Sequence, residues 1–97
     1  MNMQAMMQQA QKIQKDMMKA KKEIEEKSYI DTESFVTVEM KGTKEIKKVS
    51  IDMDSLEKED IEMLEDLICV AVNNNIKKID KETESKMGRF SGISGLL

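Results

Sequence analysis

Apolar positions in the first quarter of the chain follow a heptad rule. Met3, Met6, Ala10, Ile13, Met17, Ala20 and Ile24 recur at alternating intervals of three and four residues, which is the a/d seam of a coiled coil. Lys12, Lys15, Lys19 and Lys22 repeat with the same alternation. At about 100° per residue, that row lies roughly opposite the seam. Gln, Lys, Met, Ala and Glu are good helix formers and no Gly or Pro interrupts them, so one helix is predicted over residues 2–27. At 1.5 Å per residue it is about 38 Å long. A sheet of short strands cannot cover that length, so the remainder of the seam needs another helix. Met6, Ala10, Ile13, Met17, Ala20 and Ile24 are therefore the candidate dimer seam.

The pattern changes after residue 27. Residues 28–34 break the helical period and read as a loop or a short edge strand. Residues 35–41 alternate, with Val36, Val38 and Met40 on one face and Phe35, Thr37 and Glu39 on the other, so a strand with a buried aliphatic face is predicted. Gly42-Thr43 supplies a turn. Residues 45–51 read as the return strand, with Val49 and Ile51 on one face and Lys48 and Ser50 on the other, closing a hairpin. Asp54 or Ser55 starts the next helix, and Asp54 with Glu57 resembles a capping box. That helix is predicted over about 59–87, with Leu64, Ile68, Ala71, Val72, Ile76 and Ile79 as its apolar stripe. Acids crowd its start and bases its end, as the helix macrodipole favours. Residues 1–88 make a single domain. Residues 89–97 make a mobile Gly/Ser-containing tail, in which Ile93, Leu96 and Leu97 are available to dock. The order is helix, two or three strands, helix: an α+β fold with a small antiparallel sheet.

Composition adds two constraints. The 97 residues include ten Met but only two Phe, one Tyr and no Trp. A core filled largely by Met packs adaptably and specifies shape poorly. A small core beside a long apolar seam favours a homo-oligomer. The formal charge of −3 argues weakly against nucleic acid as a partner, but its distribution matters more. Residues 1–22 hold five lysines against Asp16 alone, whereas residues 52–66 hold eight acids against Lys58. No stretch approaches the roughly 18 apolar residues of a membrane span, and the start of the chain lacks the pattern of a signal peptide. The single Cys69 suits a reducing compartment, so the expected location is cytoplasmic.

Catalytic chemistry is hard to find. The chain has no His, the usual general base near neutral pH. Cys69 lies in the apolar run Leu67–Val72 and reads as a buried structural thiol. Gly92-Ile93-Ser94-Gly95 lacks the spacing and preceding strand of a nucleophile elbow, and no phosphate-binding glycine loop is present. The acids from Asp52 onward miss the EF-hand pattern, because Leu56 and Glu57 stand where a polar ligand and Gly belong. No enzymatic activity, cofactor, metal site or small-molecule substrate is expected.

The lysine row remains. Its members rise 4.5 to 6 Å from one to the next at 1.5 Å per residue, a spacing able to neutralise several phosphates of a duplex. Without Arg in the row, and with only Gln8 and Gln14 nearby, little base-specific readout is expected. Lys77, Lys81 and Arg89 are candidate helpers, since Lys77 and Lys81 lie four apart and away from Ile79. A dimer presents the row twice, turning two weak contacts into one useful binding event. The rival reading is a protein-interaction module whose Met-rich seam captures another protein.

Four segments, in order, carry a family resemblance: Lys44–Asp52 (KEIKKVSID), Met63–Ile68 (MLEDLI), Ala71–Asn74 (AVNN) and Glu84–Gly88 (ESKMG). With the Gln/Met/Lys-rich first helix and the Gly/Leu tail, the chain resembles the YbaB/EbfC family of bacterial nucleoid-associated proteins over nearly its whole length. The resemblance implies an α-β-β-β-α protomer, an intertwined homodimer and binding of double-stranded DNA with loose sequence preference. It also implies a role in nucleoid organisation or gene regulation, and makes residues 28–34 a strand. The chain departs from the family pattern twice. Asp31-Thr32-Glu33-Ser34-Phe35 stands where Gly-rich residues are usual, and Met53 stands where Pro often follows the Ile-Asp pair.

Overall fold

The computed structural model describes residues 2–90. In order, it contains α1 (Met3–Glu26), β1 (Ser28–Glu33), β2 (Val36–Lys41), β3 (Ile46–Ile51), a 3-10 turn (Lys58–Asp60) and α2 (Ile61–Met87). The α-β-β-β-α order expected from the resemblance is thus realised, and residues 28–34 are mostly strand. The sheet runs β1-β2-β3 and is antiparallel throughout. The molecule extends 71 Å along its longest axis against 18 and 14 Å across it.

Local chemistry sets the element ends. Asn2 caps α1, its side chain accepting from the Gln4 amide at 3.0 Å. The helix stops at Lys27, whose φ of −74° and ψ of 146° are extended, just before Tyr29 and Ile30 favour a strand. The expected Asp54–Glu57 capping box does not form. Instead the Glu57 amide donates to the Asp60 carboxylate at 2.9 Å, three residues later, and α2 begins at Ile61.

Two small clusters form the core. Val36, Val38 and Ala71 make one, with Leu64, Leu67, Ile68 and Val72 packed around it. Ile24, Tyr29, Met40 and Ile79 make the other, joined by Ile76 and Met87. The stripe predicted on α2 is the one that packs. Fully buried Asn75 continues it and donates through Nδ2 to the Val38 carbonyl at 2.9 Å. Its Oδ1 has no partner among the described residues.

One burial expectation fails, that of Cys69, and one apolar strand face is left uncovered. Val49 and Ile51 stay 40% and 41% exposed. They pair in register with Val38 and Val36 and so share the face that α2 covers, but α2 lies over β1 and β2 and leaves β3 open. Cys69 is also exposed, because it sits one position off the stripe, beside exposed Val70. Of the segment 89–97, only Arg89 and Phe90 are described. They close α2 with a 3-10 turn in which Phe90 is buried; the expected mobility of the tail beyond, and docking by Ile93, Leu96 and Leu97, lie outside the described residues.

Candidate nucleic-acid interface

Among the described residues, helix α1 is anchored at its C-terminal end only. Ile24 enters the core, and Ala20 is buried beside Ser85, Lys86 and Arg89. The turn after β2 fits under this end so closely that a Cβ at Gly42 would overlap the Ile24 carbonyl. The Gly42 amide also donates to the Lys27 carbonyl at 3.1 Å.

Charge completes the anchor. Tyr29 Oη donates to Glu82 Oε2 at 2.6 Å, and Lys27 Nζ reaches both Glu82 carboxylate oxygens at 3.0 Å. Lys86 approaches Glu82 at 3.2 Å and Glu23 at 3.9 Å. The hydrogen bond from Tyr29, helped by those from Lys27 and Lys86, outweighs desolvation and holds the Glu82 carboxyl down to about 2. Burial and the adjacent Glu82 carboxylate push the Tyr29 hydroxyl above its usual value. A second tie joins α2 to β1. Lys78 Nζ donates to the Ile30 carbonyl at 2.6 Å and to Asp31 at 3.1 Å, and Asn74 Nδ2 donates to Asp31 and Glu33. Desolvation raises the Asp31 carboxyl, but the bonds from Lys78 and Asn74 outweigh it and keep it below the usual carboxylate range.

These ties sort the bases of α2. Lys78 and Lys86 are committed to the fold. Lys77 and Lys81 are exposed and form no ion pair among the described residues. On α1, Lys12, Lys15, Lys19 and Lys22 are all exposed. The first three are likewise unpaired among the described residues, and Lys22 has only a loose contact with Glu26 at 4.0 Å. Arg89 lies over the Phe90 ring at 4.6 Å and shares a shallow concavity of about 280 Å³ with Lys19, Asp16, Ala20 and Glu23. The structure therefore brings Arg89 to the row, with two acids in company, while Lys77 and Lys81 lie earlier on α2. Sequence reasoning missed the Tyr29–Glu82 tie and the role of Gly42. Both depend on pairings across the fold that have no local signal. Asn75 was more legible, since it stands four residues from both Ala71 and Ile79 on the packed stripe.

The seam divides in two. Ala20 and Ile24 are taken by the chain's own core, so they are closed to a partner helix. Met17, Ile13 and Ala10 are half-buried, and Met6 and Met3 are 50% and 76% exposed.

Comparison with known proteins covers nearly the whole chain. Residues 1–94 match the model of the YbaB/EbfC DNA-binding family. A nucleoid-associated protein of Enterococcus faecalis is 42% identical over 97 residues, covering 97% of this chain and 93% of the relative. One from Lactococcus lactis subsp. cremoris is 41% identical over 93 residues, covering 94% of each. One from Francisella philomiragia is 46% identical over 98 residues, covering 95% of this chain and 87% of the relative. With its element order, its sheet and these matches, the chain belongs to the YbaB/EbfC DNA-binding family.

Proposed function

We propose that this protein is a nucleoid-associated protein that binds duplex DNA as a homodimer, with little sequence specificity, and so organises the nucleoid or modulates gene expression. The observation that carries the reading is the row Lys12, Lys15, Lys19 and Lys22: four exposed ammonium groups on one side of a projecting helix, with no carboxylate among the described residues closer than the loose Glu26 contact. Such a row reaches phosphates and carries no base code. Arg89 adds a fifth charge beside Lys19, and Lys77 and Lys81 extend the basic surface along α2. Family membership and the names of the relatives support DNA as the partner.

The homodimer accounts for the uncovered side of the sheet. β3 is an edge strand with exposed Ile46, Val49 and Ile51, near Met53 and Leu56 in the chain and followed by exposed Ile61 on α2. An apolar edge of this kind invites pairing with another copy, and two copies double the lysine rows. Fluorescence anisotropy on a labelled duplex, repeated over a salt series, tests the DNA reading. The expected slope of log affinity against log salt is steep, and it shrinks by about 0.9 for each row lysine that neutralises a phosphate and is changed to Gln. Affinity indifferent to salt would sink the reading. Glu at all four positions should abolish binding and leave the circular dichroism unchanged.

A further inference from the structure

The sheet has two sides, and α2 covers one of them. In the central strand Val36, Val38 and Met40 are buried beneath α2, whereas Thr37 and Glu39 on the other side are half-buried and Lys41 is exposed. Strand alternation puts Ile30 and Thr32 of β1, and Lys48 and Ser50 of β3, on that outer side. No helix packs there among the described residues. Charge is sorted between the two sides. Asp31 and Glu33 of β1 lie toward α2, where Lys78 and Asn74 hold them. On the outer side the strands carry one acid, Glu39, paired with Lys47 at 3.2 Å and in register with Lys48. Lys41 and Lys48 are exposed and form no ion pair among the described residues.

A row of hydroxyls crosses the same side. Thr32, Thr37 and Ser50 stand in register over all three strands, and the hydroxyls of Thr32 and Thr37 are 2.9 Å apart. One proton serves that bond, so the other hydroxyl proton, and that of Ser50, remain for an outside acceptor. We propose that this outer face is a second contact for duplex DNA, in which Lys41 and Lys48 neutralise phosphates and the hydroxyl row donates to the same backbone. It rests on the DNA reading above and adds a surface that the α1 row does not include. The chemistry of the face selects its occupant. Phosphate oxygens suit ammonium and hydroxyl donors alike. Within the strands this side has no aromatic ring on which unpaired bases could stack, and Phe35, before β2, packs with the cluster on the α2 side. Ile30 is the one apolar side chain of the strands on this side, so a protein partner finds no aromatic anchor. A second copy would set lysines against lysines.

Position joins this face to the row. Lys41 precedes Gly42, which is seated against the Ile24 carbonyl at the anchored end of α1. Lys21 of α1 and Lys44 of the turn line one concavity of about 240 Å³ there. Its two acids are taken, Glu25 by Lys21 at 4.0 Å and Asp80 by Lys44 at 2.9 Å. The basic surface thus runs down α1 and across the turn onto the sheet. The acids that open α2 lie at the other end of the sheet, where Leu64 and Leu67 pack beside Val36. A phosphate backbone can follow the lysines without meeting them.

Anisotropy titrations of a labelled duplex over a salt series test the contact. The variants are Lys41→Gln, Lys48→Gln and the two together, beside Lys58→Gln, an exposed lysine among the acids before α2. Each sheet variant should lower the slope of log affinity against log salt by about 0.9, and the double variant by about 1.8, with circular dichroism unchanged. Lys58→Gln should leave the slope as it is. Sheet variants with the slope of the unaltered protein overturn the inference. So does an equal loss from Lys58→Gln, which signals overall charge in place of a contact. Proximity supplies the second measurement. In a Cys69→Ser background, an iron–EDTA cleavage reagent on Lys48→Cys should cut the bound duplex. The same reagent on Glu62→Cys, at the acidic start of α2, should not. Cutting from position 48 no greater than from position 62 overturns the inference even where the slope changes. The two readings fail differently. If the unaltered protein binds no duplex, the DNA reading falls and the sheet contact with it. If it binds and the sheet variants and reagent are silent, the sheet contact alone falls.

Discussion

The two ends of the α1 seam share one helix and one heptad spacing and have opposite fates. At the C-terminal end, Ala20 and Ile24 disappear under the chain's own sheet and second helix. At the N-terminal end, Met3 and Met6 meet solvent. The difference lies in what the rest of the chain can reach. β2 and α2 arrive at the end of α1 because Lys27 turns directly into β1, and nothing described extends back to Met3. A heptad repeat therefore states that a face is apolar; it does not state whether its own chain or another covers it.

The sharpest way to break the anchored end is Gly42→Ala. The added Cβ meets a backbone carbonyl, which cannot swing aside as a side chain can, so α1 must lift off. A loss of about 3 kcal/mol or more is expected in urea denaturation, comparable to removing a large core side chain. The other hairpin turn is its counterpart. Ser34, the first residue of the two-residue loop between β1 and β2, holds φ at 53°, a region glycine occupies freely. Ser34→Gly should gain about 1 kcal/mol by relieving that strain. The β2–β3 turn forbids a side chain at Gly42, while each turn carries one at positive φ, at Ser34 in the first and at Lys44 (φ 73°) in the second.

A direct comparison of the two ends comes next. Ile24→Ala should cost about 2–5 kcal/mol, as expected for a buried branched residue. Met6→Ala should change monomer stability by less than about 0.5 kcal/mol, as for an exposed site. Equal effects in dilute protein would mean that the two ends are not distinct.

The Tyr29–Glu82 tie makes the anchored end sensitive to acid. Glu82 is held at about 2 from an ordinary 4.5, so its charged form favours the folded state. That contribution is present in full above the ordinary value and disappears as pH falls from about 4.5 toward 2. Glu82→Gln should flatten the fall of the thermal midpoint across that window. Tyr29→Phe should cost about 2 kcal/mol at neutral pH, the typical worth of a hydrogen bond to a charged group. The smallest effect is expected from Glu26→Gln. Its contact with Lys22 is exposed and 4.0 Å long, so a change below about 0.5 kcal/mol is expected.

Much of this was legible along the chain. The helix predicted over 2–27 runs over 3–26, the strand from Val36 and its return are present, and the α2 stripe packs as its spacing implies. Periodicity shows these features because each is a local match between side-chain spacing and backbone geometry. The candidate lysines were legible as exposed for the same reason, since they lie opposite an apolar face. What was not legible concerns coverage. Val49 and Ile51 have the right alternation and lie on the correct face, yet α2 is too narrow to reach the third strand. Cys69 belongs to an apolar run, but a helix buries a stripe and leaves its neighbours out.

By itself, then, the sequence determined which residues form helices and strands, which side of each is apolar, and that the lysines of α1 stand opposite its seam. These follow from spacing and intrinsic propensity, which act over a few residues. Only the tertiary structure decided, among the described residues, that α1 is held at one end, that Gly42 must lack a side chain, that Lys78 and Lys86 are tied down while Lys77 and Lys81 are not, and that β3 and the first turns of α1 stay open. These depend on which surfaces meet across distances of tens of residues, where packing and desolvation choose among faces that look alike along the chain.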